Sequence, residues 1–274
     1  MTGAPAVVGL KMHGANNTFV LVDERPRAFD DYAALARTVC AADGPFEGAD
    51  GLLVVGDARG DATARAEMRI FNADGSEPEM CGNGVRCVAR YLVDRGAPTA
   101  FTIATLAGPI ATEVVARAPF EARIDVGSVT FANAGAPESL DAFGRTWPFV
   151  AVSLGNPHAV VFARDPAAVD LEALGRAFQT HPRFPHGTNV HVARIVPGEA
   201  ATLEVRHFER GVGLTQACGT GAVACAAVAI ATRDFISPVS VRVPGGTLRV
   251  AWQPGLTAQL TGPAEPLFAR PLLR

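Results

Sequence analysis

Apolar and polar residues alternate along most of the chain in short runs, interrupted by a few longer stretches with helical spacing. In the first half, VVGL (7–10), TFVLVD (18–23), GLLVVG (51–56), EMRIF (67–71), FTIAT (101–105), IATEVVA (110–116) and EARIDV (121–126) are β-branched or alternating runs bounded by Gly, Pro or Asp. That pattern predicts strands, and the spacing over 30–42 and 83–95 predicts helices. In the second half, AVSL (151–154), AVVFA (159–163), TNVHVARI (188–195), ATLEVRHF (201–208), VSVRV (239–243), TLRVAW (247–252) and TAQL (257–260) take the strand roles. A helix over 166–180 is predicted to start with Asp165 as N-cap and Pro166 at its first position. The run GAVACAAVAIAT (221–232) is apolar on every side, which predicts a helix buried inside strands.

The two halves share a register. Shifted by 137 residues, RIFNADGSEPEMCGNG (69–84) falls on RHFERGVGLTQACGTG (206–221), with Arg69/Arg206, Phe71/Phe208, Cys81/Cys218, Gly82/Gly219 and Gly84/Gly221 coincident. A period of half the chain indicates one unit built twice. The expected fold is therefore mixed α/β (α+β) with two pseudo-symmetric units, each with strands wrapping a buried central helix. The expected boundaries are 1–125 plus 265–274 for the first and 126–264 for the second.

With 274 residues, 49% of them hydrophobic, the chain is long enough for two domain cores. A net charge of −3 and sparse aromatics give no basic patch or stacking platform for nucleic acid. The N-terminus MTGAPAVVGLKMHG has no secretory pattern, and no apolar run reaches the roughly 18 residues that span a bilayer. A cytoplasmic protein acting on a small molecule, without membrane or nucleic-acid partner, is expected. Five cysteines, Cys40, Cys81, Cys87, Cys218 and Cys225, are odd in number and lack a C-x-x-C pair, as expected of reduced thiols. His181, His186 and His191, spaced by five around Pro182 and Pro185, match no zinc motif. Lys11 is the sole lysine, which leaves one possible Schiff-base residue.

The chemistry concentrates in Cys81-Gly82-Asn83-Gly84 and Cys218-Gly219-Thr220-Gly221, each between a strand and a helix. Free N–H groups of a helix's first turn form an anion site suited to a carboxylate. The same field favours thiolate, so both thiols are expected below the free value of about 8.5. Two such cysteines on opposite faces of one Cα would invert it, one removing a proton and the other returning one. Cys40, Cys87 and Cys225 lie inside apolar helical runs and read as core.

The stretches KMHGANNTF, GADGLLVV, FNADGSEPEMCGNGVRC, GNPH, FPHGTNV and ERGVGLTQACGTGA span essentially the whole chain and resemble the diaminopimelate epimerase family. The resemblance implies a barrel-like β-sheet around a central helix in each unit, a cofactor-independent isomerase that converts LL- to meso-2,6-diaminopimelate for lysine and peptidoglycan precursor synthesis, and a homodimer. It implies Cys218 as proton acceptor and Cys81 as donor in that direction. Gly82, Asn83, Gly219 and Thr220 would hold the reacting carboxylate, and Glu209 with the Arg210 backbone the reacting ammonium. Asn17, Asn72, Asn156, Asn189 and the Arg210 guanidinium would hold the far end, with His158 in support. The chain departs from the family pattern at Asn16 and Thr18, where HGLGNDF is usual, at Gly51, often glutamine, and at Leu214, usually acidic. Other readings are a related racemase of histidine, ornithine, proline or hydroxyproline, or a silent binder or thiol-redox protein. Proline-racemase-like chains usually show M-C-G-H at the first turn, where this chain has Asn83.

Overall fold

The computed structural model describes residues 7–58 and 63–272; the first six residues of the N-terminal stretch read above and the last two residues lie outside them. The chain divides into two compact units: the part up to Ile124 together with that from Gly262, and Asp125–Thr261.

In the first unit, β1 (Val8–Gly14) and β2 (Asn17–Asp23) form an antiparallel hairpin. After α1 (Tyr32–Val39), β3 (Gly51–Gly56) runs parallel to β2, and β4 (Ala64–Asn72) returns antiparallel to β3. After α2 (Gly82–Val93), β5 (Ala100–Thr105) is parallel to β4 and leads into an antiparallel meander with β6 (Gly108–Arg117) and β7 (Phe120–Ser128). Asp31 caps α1 by accepting from the Ala34 N–H at 2.8 Å. The apolar face of α1 packs Ala36 and Val39 against Val20, Leu52, Val54 and Phe71. Opposite this layer, α2 lies against β1, β2, β3, β4 and β6, so strands surround it.

The second unit repeats the plan. It opens with β8 (Thr130–Phe131), β9 (Glu138–Ala142), β10 (Arg145–Ser153) and β11 (Pro157–Phe162). Beyond α3 (Leu171–Thr180), β12 (Asn189–Ile195) is parallel to β11 and antiparallel to β13 (Thr202–Glu209), which also pairs with the short β14 (Gly213–Thr215). After α4 (Gly219–Thr232), β15 (Val239–Val243) is parallel to β13 and continues antiparallel into β16 (Gly246–Ala251) and β17 (Thr257–Pro263). The last strand, β18 (Glu265–Pro271), pairs with β1 of the first unit. Every side of α4 is covered by β10, β11, β12, β13, β15 and β16, and Ala222 through Ala229 are all 0% exposed. Among the described residues no helix is long and apolar enough to cross a membrane.

Strands β8, β9 and β14 have no counterpart in the sequence expectation, and three further elements differ from it. The helix expected from 166 is two pieces: Asp165 caps a 3₁₀ turn over Pro166–Ala168, Val169 is extended, and Asp170 caps α3 by accepting from the Ala173 N–H. An extended residue breaks the helical hydrogen-bond ladder, so a second capping side chain is needed. AVSL is only the end of β10, which begins at Arg145 after a tight turn with Phe143 and Gly144 both left-handed. Strand β18 has little apolar alternation and owes its conformation to pairing with β1.

Candidate functional site

In the first unit the β1–β2 turn has Ala15 and Asn16 both at positive φ, the backbone of a two-residue type I′ hairpin. Asparagine tolerates that region, so Asn16 serves where the family pattern has glycine. The turn delivers Asn17 to the start of β2. Its Nδ2 donates to Asp50 Oδ2 at 2.8 Å, and its Oδ1 accepts from Asn83 Nδ2 at 3.1 Å and lies 3.9 Å from Cys81 Sγ. Thr18 donates to the same Asp50 oxygen through its N–H at 2.6 Å and its hydroxyl at 3.0 Å. Asn72 ends β4 opposite Gly51, and its Nδ2 donates to Ser76 Oγ. A Cβ at Gly51 would meet the Phe71 carbonyl at 2.7 Å, which explains glycine there.

Cys81 is the extended N-cap of α2 and is half-buried, with Gly82 and Asn83 as the first helical residues. Gly84 lets the helix close on β3, where a Cβ would meet Leu53 Cδ2 at 2.7 Å. One turn on, Arg86 is completely buried. Its guanidinium donates to Asn83 Oδ1 at 2.7 Å, the Pro263 carbonyl at 3.2 Å and the Gly82 carbonyl at 3.4 Å. Among the described residues no carboxylate meets it. Burial lowers the Arg86 pKa, opposed by the Cys87 and Cys81 sulfurs.

In the second unit Cys218 is the extended N-cap of α4 and is 5% exposed. Its sulfur accepts from the Gly221 N–H at 3.4 Å and lies 3.6 Å from the Thr220 hydroxyl. The thiol pKa nevertheless stands well above its ordinary value, through burial first and the Glu209 carboxylate second. This corrects the expectation of a depressed thiol at the helix start. The Gly221 N–H and the Thr220 hydroxyl do favour thiolate, but desolvation and a neighbouring anion outweigh them.

Glu209 ends β13 and accepts from the Thr215 hydroxyl of β14 at 2.6 Å. The backbone N–H of Arg210 donates to Asn189 Oδ1 at 3.0 Å, and its guanidinium donates to the His186 carbonyl at 3.1 Å. Asn189 is buried and donates to the Pro157 carbonyl, so its amide clamps the start of β11 to the end of β13. Asn156 Oδ1 and His158 Nε2 are 2.9 Å apart. Nearby, Ser153, Pro157, His158, Phe184 and His186 help line a cavity of about 450 Å³ within this unit.

Asn17, Cys81, Gly82 and Asn83 are thus brought together in the first unit, with Asn72 one strand away across Gly51. Asn156, His158, Asn189, Glu209, Arg210, Cys218, Gly219 and Thr220 belong to the second. Sequence reasoning missed Asp50, Arg86 and His207. A charged residue inside the apolar helix α2 was the available signal for Arg86. The three histidines grouped by spacing do not act together: His181 ends α3, whereas His191 is fully buried against His158 and His207. Lys11 donates to the Phe46 carbonyl at 2.6 Å and is 8% exposed, a buried structural contact.

Each unit offers a helix start suited to a carboxylate and an N-cap thiol, and the second adds the Glu209 carboxylate for a cation. The diaminopimelate epimerase family model matches residues 9–132 and 150–266. The chain is 42% identical to the diaminopimelate epimerase of Desulforudis audaxviator, over 94% of this chain and 96% of that one. It is 38% identical to that of Methanothermobacter thermautotrophicus, over 96% and 98%. In fold it is similar to a Bacillus anthracis phenazine biosynthesis protein of the PhzF family (TM-score 0.75, 16% identity, 97% and 98% covered). It is also similar to a hydroxyproline epimerase from Agrobacterium vitis (TM-score 0.70, 18% identity, 96% and 90% covered). The chain belongs to the diaminopimelate epimerase family.

Proposed function

We propose that the protein interconverts LL- and meso-2,6-diaminopimelate by a two-base transfer at one Cα. The observation that carries this reading is that both buried central helices begin on an N-cap cysteine followed by glycine, at equivalent places of a duplicated unit. From the LL isomer, Cys218 takes the proton and Cys81 returns one to the opposite face; the roles exchange in reverse. First-turn amides at Gly82-Asn83 and Gly219-Thr220 hold the carboxylate and stabilise the charge that develops as the proton leaves.

Glu209 couples binding to chemistry. In the free protein its carboxylate adds to the effect of burial, which comes first in raising the Cys218 thiol pKa. A substrate ammonium paired with Glu209 offsets that charge, so Cys218 ionises more readily when substrate is present. Asn17, Asn72, Asn156, Asn189 and the Arg210 guanidinium recognise the far amino-acid end, with His158 in support. The reaction uses no pyridoxal phosphate, nicotinamide or metal. The enzyme works in the cytoplasm as a homodimer.

A chiral-product assay with LL-2,6-diaminopimelate, run beside histidine, ornithine and hydroxyproline on dialysed protein with chelator, tests this reading. Formation of the meso isomer is expected. Preferential turnover of another amino acid, or activity only after a cofactor is restored, overturns it. A dimer is expected by sedimentation.

A further inference from the structure

Asn156, His158, His191 and His207 form one hydrogen-bonded line in the second unit. Asn156 Oδ1 is 2.9 Å from His158 Nε2, His158 Nδ1 is 2.9 Å from His191 Nε2, and His191 Nδ1 is 2.8 Å from His207 Nδ1. Strand register makes the line: His191 and His207 are partners across β12 and β13, and His158 is the β11 partner of Asn189, two residues before His191. The rings are at most 1% exposed. Burial lowers all three pKa values, to about 3 for His158 and His207, so the rings are neutral near pH 7.

Packing alone does not call for histidine here. In the first unit the pair corresponding to His191–His207 is Leu53–Ile70, partners across β3 and β4, and the residue corresponding to His158 is Phe19, the β2 partner of Gly51. Phe19, Leu53 and Ile70 are all buried and apolar. The correspondence extends to the glycines: a Cβ at Gly84 would meet Leu53 at 2.7 Å, and one at Gly221 would meet His191 Cε1 at 2.4 Å. His191 therefore sits against the first turn of α4, the turn capped by Cys218.

Neutral imidazoles in a row have two consistent proton arrangements. In one, His207 Nδ1–H donates to His191, His191 Nε2–H donates to His158, and His158 Nε2–H donates to Asn156 Oδ1. His207 Nε2 is then a bare lone pair. In the other every bond reverses and His207 Nε2 carries a proton. That nitrogen is buried with no partner among the described residues. A buried N–H without an acceptor is the rarer defect, and Asn156 already turns its oxygen toward the ring.

We infer that His191 and His207 are positioning residues: they hold His158 as the Nε2–H tautomer, which occupies Asn156 Oδ1 and reserves Asn156 Nδ2 as a donor for an anionic ligand group. Asn156 Nδ2 makes no hydrogen bond among the described residues, and a donor in that place selects a carboxylate over an ammonium. The ligand half of this inference rests on the binding role of Asn156 proposed above; the tautomer half does not.

Two-bond ¹H–¹⁵N correlation spectra of histidine-labelled protein at pH 7 read the protons directly. The expected result is Nε2–H on His158 and His191 and Nδ1–H on His207. The reversed set, or any ring doubly protonated, overturns the inference even if the enzyme turns over diaminopimelate. His207→Val and His191→Phe remove donors and put apolar side chains in their place. Each is expected to raise KM for LL-diaminopimelate about tenfold with kcat within about twofold, the loss of roughly one hydrogen bond to a charged group. Asn156→Asp keeps the acceptor and the tautomers but removes the donor, and is expected to raise KM further. An unchanged KM in soluble, folded His207→Val and His191→Phe, or in Asn156→Asp, overturns the positioning role. A wild-type protein inert toward diaminopimelate with the expected tautomers would sink the substrate assignment and leave the histidine line standing.

Discussion

The two cysteine-glycine turns occupy equivalent places, yet their charged surroundings are opposite. One turn beyond Cys81 lies the buried guanidinium of Arg86; 137 residues later the same position is Val223, apolar and buried. Beside Cys218 stands the Glu209 carboxylate; the equivalent residue in the first unit is Asn72, which is uncharged. Both differences act in the same direction, favouring an anion at the first sulfur and a proton on the second. Duplication supplied two similar thiols, and two substitutions set a buried cation near the first and an anion beside the second. The two-base transfer proposed above needs its cysteines in opposite protonation states at the start of each turnover, so this asymmetry is the place to test it.

The largest expected effect treats the turns alike. Under the two-base proposal Cys81→Ala and Cys218→Ala each remove one of two proton carriers, and kcat/KM for epimerisation should fall at least about 10³-fold in both, with circular dichroism unchanged. A folded variant with near-normal inversion would remove its cysteine from the chemistry.

Acid should separate the two units next. His158 and His207 have folded pKa values of about 3 against about 6.5 when unfolded, and His191 lies well below 6.5. Below pH 6.5 the unfolded chain binds protons that the folded chain refuses, so stability is lost as pH falls toward 3. The expected slope is about 1.4 kcal/mol per pH unit for each such histidine. Their counterparts Phe19, Leu53 and Ile70 do not titrate. Hydrogen exchange at pH 7 and pH 4.5 should show core amides of the second unit losing protection first; earlier loss in the first unit would contradict this.

Glu209→Gln should split binding from acidity. Loss of a charge-assisted contact to the substrate ammonium is expected to raise KM roughly 10- to 100-fold. The Cys218 thiol should simultaneously become more acidic, read from thiolate absorbance during a pH titration, since a raising influence is gone. A Cys218 titration that does not move would break the assignment of Glu209 as its neighbouring anion.

Arg86→Met is the counterpart in the first unit. It should lower kcat about tenfold and slow alkylation of Cys81 relative to wild type, because the nearby cation that favours thiolate is lost. Equal slowing at Cys218 would mean the change is global. Thr220→Val makes the smallest change: without its hydroxyl the Cys218 thiol should titrate higher still, with kcat down about threefold.

The parts of this site legible in the sequence are those written within one short stretch. C-G-N-G and C-G-T-G declare strand, N-cap and helix locally, and their repetition declares the duplicated unit. Arg86 was less visible, because its significance depends on α2 being enclosed by strands. The histidine line was hidden altogether. His181, His186 and His191 are close in sequence and separate in role, whereas His158, His191 and His207 are joined only by the register of three strands. The direction of the Cys218 shift was misread for a similar reason: a helix start is local information, while burial and the reach of Glu209 are set by the folded unit. Likewise the start of α3 moved to Leu171 because Val169 is extended, a conformation that Asp165-Pro166 does not foretell.

Deuterium oxide tests the two-base claim most directly. LL-diaminopimelate is incubated with wild-type protein, and product and recovered substrate are examined by NMR and mass spectrometry in the first few per cent of reaction. If the proposed transfer holds, the proton taken by Cys218 stays on one sulfur while Cys81 delivers a solvent-derived deuteron. Early meso product should therefore carry one deuterium at the inverted centre, and recovered LL substrate none. Protium retained in the meso product, or deuterium entering the recovered substrate as fast as the product, would contradict transfer by two separate cysteines.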